Sequence, residues 1–338
     1  MRYTPYTLTI IAANDGRFVD FAPYVASITD QGVVAFQATL ADGHSGVFTS
    51  DGAAISDVAV TTAADSPVQR FASHPDINKA GVLSVYGELQ GGEEALLLYA
   101  GGEMTATGVQ ESFKGIGPLG PTMNEAGAVA FRGTLQAGQA SIQLRHAVGT
   151  TTIAAVDEVY RGFDGLPVVN NAGQLAFRAD LQDGRQGVFL HDGGSCQPVA
   201  LTGEDFAEIA RFPIVNDLGT VAFVATHAAN GPGIYAATAG SLTCLTGDMA
   251  GFESFRGVLI NHAGLVAFYG TPAGGQLGIY TGPDPIGHRL LGLGDTLFDG
   301  GITDLALNPV SVNEAGQLAI RIALADGRQF VLRADPAA

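Results

Sequence analysis

Lysine is almost missing from this chain. Lys79 and Lys114 are the only two, and with fourteen arginines they face 33 acidic side chains, for a net charge of −17. A field of that sign repels phosphate backbones and anionic lipid surfaces, so neither nucleic acid nor a membrane is expected as a partner. It favours cationic ligands or metal ions, or simply keeps the protein soluble. Cysteine is scarce too: Cys196 and Cys244 cannot form a disulfide framework, and they are expected as buried free thiols too far apart to bond. No stretch approaches the ~20 apolar residues of a membrane-spanning helix. Thr7–Ala13 is too short and too poorly flanked for a secretory signal. A cytoplasmic location is therefore expected if Met1 is the native start, and a secreted or periplasmic one if a leader has been removed ahead of it.

Catalytic signatures are missing as well. The chain has no P-loop, H-E-x-x-H, EF-hand loop or C-x-x-C. Gly115-Ile-Gly117-Pro-Leu-Gly120 spells G-x-G-x-x-G, but Pro118 and Pro121 interrupt it and no helix follows, so it reads as a loop. Gly43-His-Ser-Gly46 is not a nucleophile elbow. The seven histidines, His44, His74, His146, His191, His227, His262 and His288, show no close metal-binding spacing.

What the chain has is repetition. Val169-Asn170-Asn171-Ala172-Gly173-Gln174-Leu175-Ala176-Phe177-Arg178 returns, with changes, around Asn78, Asn124, Asn216, Asn261 and Asn313, and in a worn first copy, Ile28-Thr29 to Phe36. The repeat glycines Gly32, Gly81, Gly127, Gly173, Gly219, Gly264 and Gly316 are 49, 46, 46, 46, 45 and 52 residues apart. A period near 46 fits a four-stranded propeller blade. Periodicity within each unit is two-fold, with Leu175, Phe177 and Ala179 on one face, as a strand requires. Only Glu204 to Phe212 suggests a helical turn or two inside a loop.

Each unit divides into strands a to d. Strand a ends at the motif Asn, b is the Val-Ala-Phe run, and c is a Gly-Val-Phe or Gly-Ile-Tyr segment. Strand d is aliphatic and Thr-rich, as in Ile55–Val60 or Thr151–Ala155. Asn-x-x-Gly suits an a–b hairpin in which Gly takes positive φ and the Asn side chain accepts a backbone N–H. Asp-Gly at Asp42, Asp183 and Asp326 suits the b–c turn. The small Ala admits the neighbouring sheet and the Phe fills the gap, so the recurrent residues are structural. The seventh unit stops after strand c, while the chain begins with an orphan strand d, residues 7–12. Pairing that strand into the last blade leaves no exposed edge. The fold expected is all-β: one seven-bladed β-propeller over residues 1–338, four antiparallel strands per blade, as a monomer.

These units resemble those of bacterial tandem-repeat proteins built on Asn-x-x-Gly-x-Val-Ala-Phe-x-Ala. The resemblance covers essentially the whole chain and implies the propeller fold. It departs at Thr29, at Ser84-Val85 and at Ile320, and it implies no settled activity, so it assigns no functional residue.

Function is expected in what does not repeat. The d–a loops are acidic, with Asp15, Asp20, Asp65, Glu111, Asp157, Glu158, Glu204, Asp205, Asp248, Asp295 and Asp299. Converging carboxylates such as Asp15, Asp65, Glu111, Asp157, Glu204, Asp248 and Asp295 would suit Ca²⁺, which takes six to eight oxygens, or an amine or guanidinium. The ordinary reading is that each caps its own loop or pairs with an Arg. No other cofactor is expected. The position after the motif Phe holds Gln37, Tyr86, Arg132, Arg178, Val224, Tyr269 and Arg321. Blade-to-blade pairing with carboxylates is the ordinary role of the three arginines, and ligand contact the alternative one for them and for Tyr86 and Tyr269. His74 is the polar exception on strand a, expected as a hydrated histidine lining a channel, with general-base use the alternative. Two functions remain open at this stage. One is a binding module offering its acidic loop face and central channel to a small molecule or protein. The other is a lyase, cyclase or hydrolase of a natural product or sugar, with its site at the channel mouth. The fold by itself does not choose between them.

Overall fold

A computed structural model describes residues 6–61, 66–108, 113–246 and 251–337. Its strands form seven successive antiparallel sheets, the arrangement of a seven-bladed β-propeller. Blade four shows the plan: Tyr160–Val169, Leu175–Leu181, Gln186–His191 and Cys196–Leu201 pair in sequence order. The permutation expected at the chain ends is present. Tyr6–Ala13 pairs antiparallel with Gln329–Pro336 and supplies the outer strand of the last blade.

The turns follow their residues. Asn170 N–H donates to Gln174 O, Gly173 N–H to Asn170 O, and Gln174 N–H to the Asn170 side chain at 2.8 Å. Gly173 takes φ +80° and Gly184, in the Asp-Gly turn, +88°, where a Cβ would be strained. The b–c turns and d–a connections meet on one side through a repeated bond: Gln182 N–H to Val159 O, Ala228 N–H to Asp205 O, and Ala273 N–H to Gly251 O.

The chain divides into two compact units. In the unit built on residues 139–292, the motif residues Ala176, Phe177, Ala222, Phe223, Ala267 and Phe268 are at most 1% exposed. Aromatic side chains from strands a and c complete its core. Phe206 meets Tyr235 edge-on at 4.8 Å, and Phe252 meets Tyr280 in the same way at 4.8 Å. In the unit built on residues 5–127 and 293–338, Phe18, Phe21, Phe36 and Phe48 form the matching cluster.

Several expectations need correction. Phe206–Ile209 is a strand with its two ends buried and its middle exposed, so the suggested helical turns are absent; pairing with Val221–His227 decides its conformation. Strand a is interrupted in several blades: Val68–Phe71 stops and pairing resumes only at Asp76–Ile77. Cys244 is exposed and Cys196 half-buried, both free, because each lies on an outer strand rather than in the core.

The motif Asn also does more than close its own turn. Asn170 Nδ2 donates to Asn216 O at 2.8 Å, Asn216 Nδ2 to Asn261 O at 3.1 Å, and Asn313 Nδ2 to Thr29 O at 2.8 Å. The residue after it joins the clasp: Asp217 accepts from Asn171 N–H, Glu125 from Lys79 N–H and Asp30 from Glu314 N–H. One polar position thus satisfies a hairpin and the next blade together.

Candidate functional site

The d–a connection of blade four, Thr202 to Asp205, is held rigidly. Thr202 N–H donates to Gln186 O at 2.9 Å, and its hydroxyl accepts Gln186 N–H at 2.8 Å. Gly203, at φ +111°, allows the turn to close with Gly203 N–H on Phe206 O. Phe206 is anchored against Phe223 and Tyr235. With both ends fixed, Glu204 and Asp205 project from the tip into solvent.

Beside that tip lies a cleft of ≈ 290 Å³. One wall is the outer strand of blade four, Pro198 to Leu201; the other includes Leu242 of the exposed outer strand Ser241–Cys244 of blade five. Glu204 and Asp205 form the acidic lip. Arg185 sits at the same end, but Asp183 holds it: Nε and Nη2 lie 2.8 and 2.7 Å from Asp183 Oδ2. The backbone N–H and then the side chain of Arg185 keep the Asp183 carboxyl below its usual range. The lining therefore joins aliphatic surface to two acids whose neighbouring cation is already committed. Its polar side chains are Arg185, Thr202, Glu204 and Asp205.

Asp157 Oδ1 caps its own loop by accepting from Val159 and Tyr160 N–H. Asp15 and Asp299 are exposed and Asp295 half-buried. Asp65, Glu111 and Asp248 lie outside the described residues. Among the described residues, no three His, Cys, Asp or Glu side chains come together as a ligand set for a metal ion.

Of the arginines after the motif Phe, Arg178 and Arg321 are buried and Arg132 is half-buried; the carboxylate partners of the two buried ones are in their own blades, which corrects the expected blade-to-blade pairing for those two. Arg178 bonds Asp180 at 2.9 Å and Arg321 bonds Asp304 at 2.7 Å. Strand alternation brings Asp180 to the same face as Arg178, and strand pairing sets Asp304 close to Arg321. Arg132 does reach the next blade, where Nη1 donates to Gly165 O at 3.4 Å. Nε and Nη1 of Arg178 and of Arg321 find no partner among the described residues. Tyr86 and Gln37 are buried and Tyr269 is half-buried.

His74 is the clearest correction. It is 3% exposed rather than hydrated, with Leu119, Gly120 and Pro121 packed against it. Its Nε2 donates to Pro121 O at 3.1 Å, and its backbone N–H points to Leu119 O at 3.4 Å. Burial lowers its pKa to about 4. The glycine-rich stretch rejected as a dinucleotide loop is thus the cover over His74. Asp76, which sequence reading overlooked, is 5% exposed and accepts Met123 N–H at 2.6 Å. Its only signal was position: two residues before the motif Asn, or Thr29, the other repeats carry Ser27, Thr122, Val168, Ile214, Leu259 and Ser311, none of them charged.

The fold makes the protein a β-propeller, and comparison with known proteins agrees. Solved structures similar over nearly the whole chain include an oligogalacturonate lyase from Vibrio parahaemolyticus, with TM-score 0.61, 12% identity and coverage of 98% of this chain and 97% of that one. Another is an oligogalacturonate lyase in complex with manganese, with TM-score 0.59, 12% identity and coverage of 99% and 98%. A puromycin-hydrolyzing peptidase of Mycobacterium tuberculosis matches with TM-score 0.54 and 14% identity, over 98% of this chain but 56% of its own. At such identities the likeness is one of fold. No family model matches the chain, and no curated protein matches it in sequence.

Proposed function

We propose that the protein is a binding module, and that its acidic loop face takes a cationic ligand with an aliphatic stem: a lysine or arginine side chain of a partner protein, or an alkylamine. The observation that carries this reading is the cleft beside Thr202 to Phe206, where Glu204 and Asp205 border the apolar surface of Pro198, Val199, Leu201 and Leu242. An apolar wall gains from burying methylenes, and the two acids at its end select the charge. The net charge of −17 draws such ligands toward the surface.

The test is calorimetric titration with a short alternating lysine–leucine peptide and its glutamate–leucine counterpart. The first should bind, more weakly as salt rises, and Glu204→Gln with Asp205→Asn should weaken it by roughly tenfold or more. Equal behaviour of the two peptides, or an unaffected double variant, would refute the assignment. The enzymatic alternative, a lyase, cyclase or hydrolase, draws on the whole-chain likeness to oligogalacturonate lyases. Turnover of oligogalacturonate by the purified protein would favour it.

A further inference from the structure

The junction between the second and third blades differs from the apolar seams of the other unit, where residues such as Val168, Ile214, Val224, Val258 and Ile260 pack together. Here residues 116–125 are fastened to blade two largely by titratable side chains. Glu94 Oε2 accepts Ile116 N–H at 3.0 Å; His74 binds Pro121 O; Asp76 Oδ2 accepts Met123 N–H; and Glu125 accepts Lys79 N–H at 2.9 Å. The fit is tight. A Cβ on Gly120 would fall 2.5 Å from His74 Nδ1 and Cε1, and Gly120 and Leu119 take φ of +146° and +89°. Holding a leucine there is unfavourable unless the surroundings impose it. Ser84, paired across the strands from Asp76, is fully buried, and its Oγ finds no partner among the described residues.

We propose that His74 and Asp76 form a compensating pair that keeps this seam closed equally well across the acidic range and loosens it above neutrality. Both lie buried on the same short stretch of blade two and both hold the same segment of the third, so releasing that segment exposes both to water together. Around them, residues 117–121 contribute no titratable group, the strand Leu83–Leu89 brings Tyr86 and Glu88, and Glu88 is paired with Arg70. Blade one adds Tyr24, near Arg70, and Glu125 bears on Asp76.

The two groups act with opposite sign. Burial lowers His74 from 6.5 to about 4, so closure is fully supported above 6.5 and weakens as pH falls toward 4. Burial raises Asp76 from 3.8 to about 8, so closure is fully supported below 3.8 and weakens as pH rises toward 8. Between about 4 and 6.5 the seam, on opening, takes up one proton and releases one, and the slopes cancel. From 6.5 to 8 only Asp76 acts, and opening increases about tenfold per pH unit, roughly 30-fold in all.

Hydrogen exchange with mass spectrometry tests this, reading residues 113–123 at a series of pH values after correction for intrinsic rates, with Val221–His227 as reference. In the unmodified protein, protection of the seam should be flat from about pH 4 to 6.5 and then fall relative to the reference. Asp76→Asn should abolish the alkaline fall and leave His74 alone, so that opening rises roughly 300-fold from pH 6.5 to 4. His74→Gln, which can still donate to Pro121 O, should extend the alkaline fall across the whole range. Identical profiles in the unmodified protein and Asp76→Asn, or a seam that follows the reference strand at every pH, would overturn the proposal. If His74→Gln does not fold, Asp76→Asn alone decides.

Discussion

Among single residues, the motif Asn and the close-packed glycines carry the sharpest consequences. Asn170 closes its own turn and donates to Asn216 O, so Asn170→Ala leaves Gln174 N–H without its side-chain acceptor and leaves Asn216 O with Gly219 N–H as its remaining donor. A loss of about 1–3 kcal/mol is expected, measured by urea unfolding with an unchanged m-value. Gly165→Ala should cost more. Gly165 takes φ +72°, and an added Cβ would fall 1.6 Å from Arg211 O, a backbone atom that cannot swing aside. The variant should unfold at a markedly lower temperature, and Arg132 and Arg211, whose contacts at Gly165 O and Asp164 depend on that bulge, should be displaced with it. The role of the Asn was half legible in sequence. Its turn follows from the Asn-x-x-Gly spacing, but its bond to the next repeat joins residues 45 or 46 positions apart and depends on how the blades pack.

Among elements, the outer strand of the last blade is the most exposed to test. Tyr6–Ala13 pairs along the whole of Gln329–Pro336, and Asp335 ties that corner together: it accepts from Thr9 and Arg333, while Arg333 also reaches Gly32 O and Asp51 O. Deleting residues 6–13 should bare the edge of Gln329–Pro336 and make the protein aggregate in light scattering at concentrations where the intact chain stays dispersed. Asp335→Ala should lower the unfolding temperature by several degrees without causing aggregation. The blade-four cleft is also an element-scale feature. Its acids were legible as members of an acidic loop. Their association with Leu242, some forty residues downstream, was not, since only the packing of two outer strands sets it there.

At the scale of the whole molecule, charge dominates. A net charge of −17 on 338 residues sets up self-repulsion that dissolved ions screen. The thermal midpoint should therefore rise as sodium chloride goes from about 10 to about 300 mM, over which the screening length shrinks from about 30 Å to below about 8 Å. A flat or falling midpoint would mean that the local Arg–carboxylate pairs, such as Arg17–Asp57 and Arg328–Asp326, outweigh the net repulsion. Most of those pairs are exposed and contribute little individually.

The sequence by itself determined the blade count, the strand pattern, the turn chemistry and the displaced first strand. All of these follow from local rules repeated seven times, and repetition averages out local ambiguity. Val-Ala-Phe alternation specifies a strand, Asn-x-x-Gly and Asp-Gly specify its turns, and a missing strand at one end matched by a spare at the other specifies how the last sheet is completed. Tertiary structure alone decided that His74 is covered and Asp76 buried, that Arg178 and Arg321 pair inside their own blades, and that an apolar cleft opens beside Glu204 and Asp205. Burial and proximity between distant residues depend on which surfaces meet. In a repeat protein those surfaces look alike in sequence until the blades are packed together.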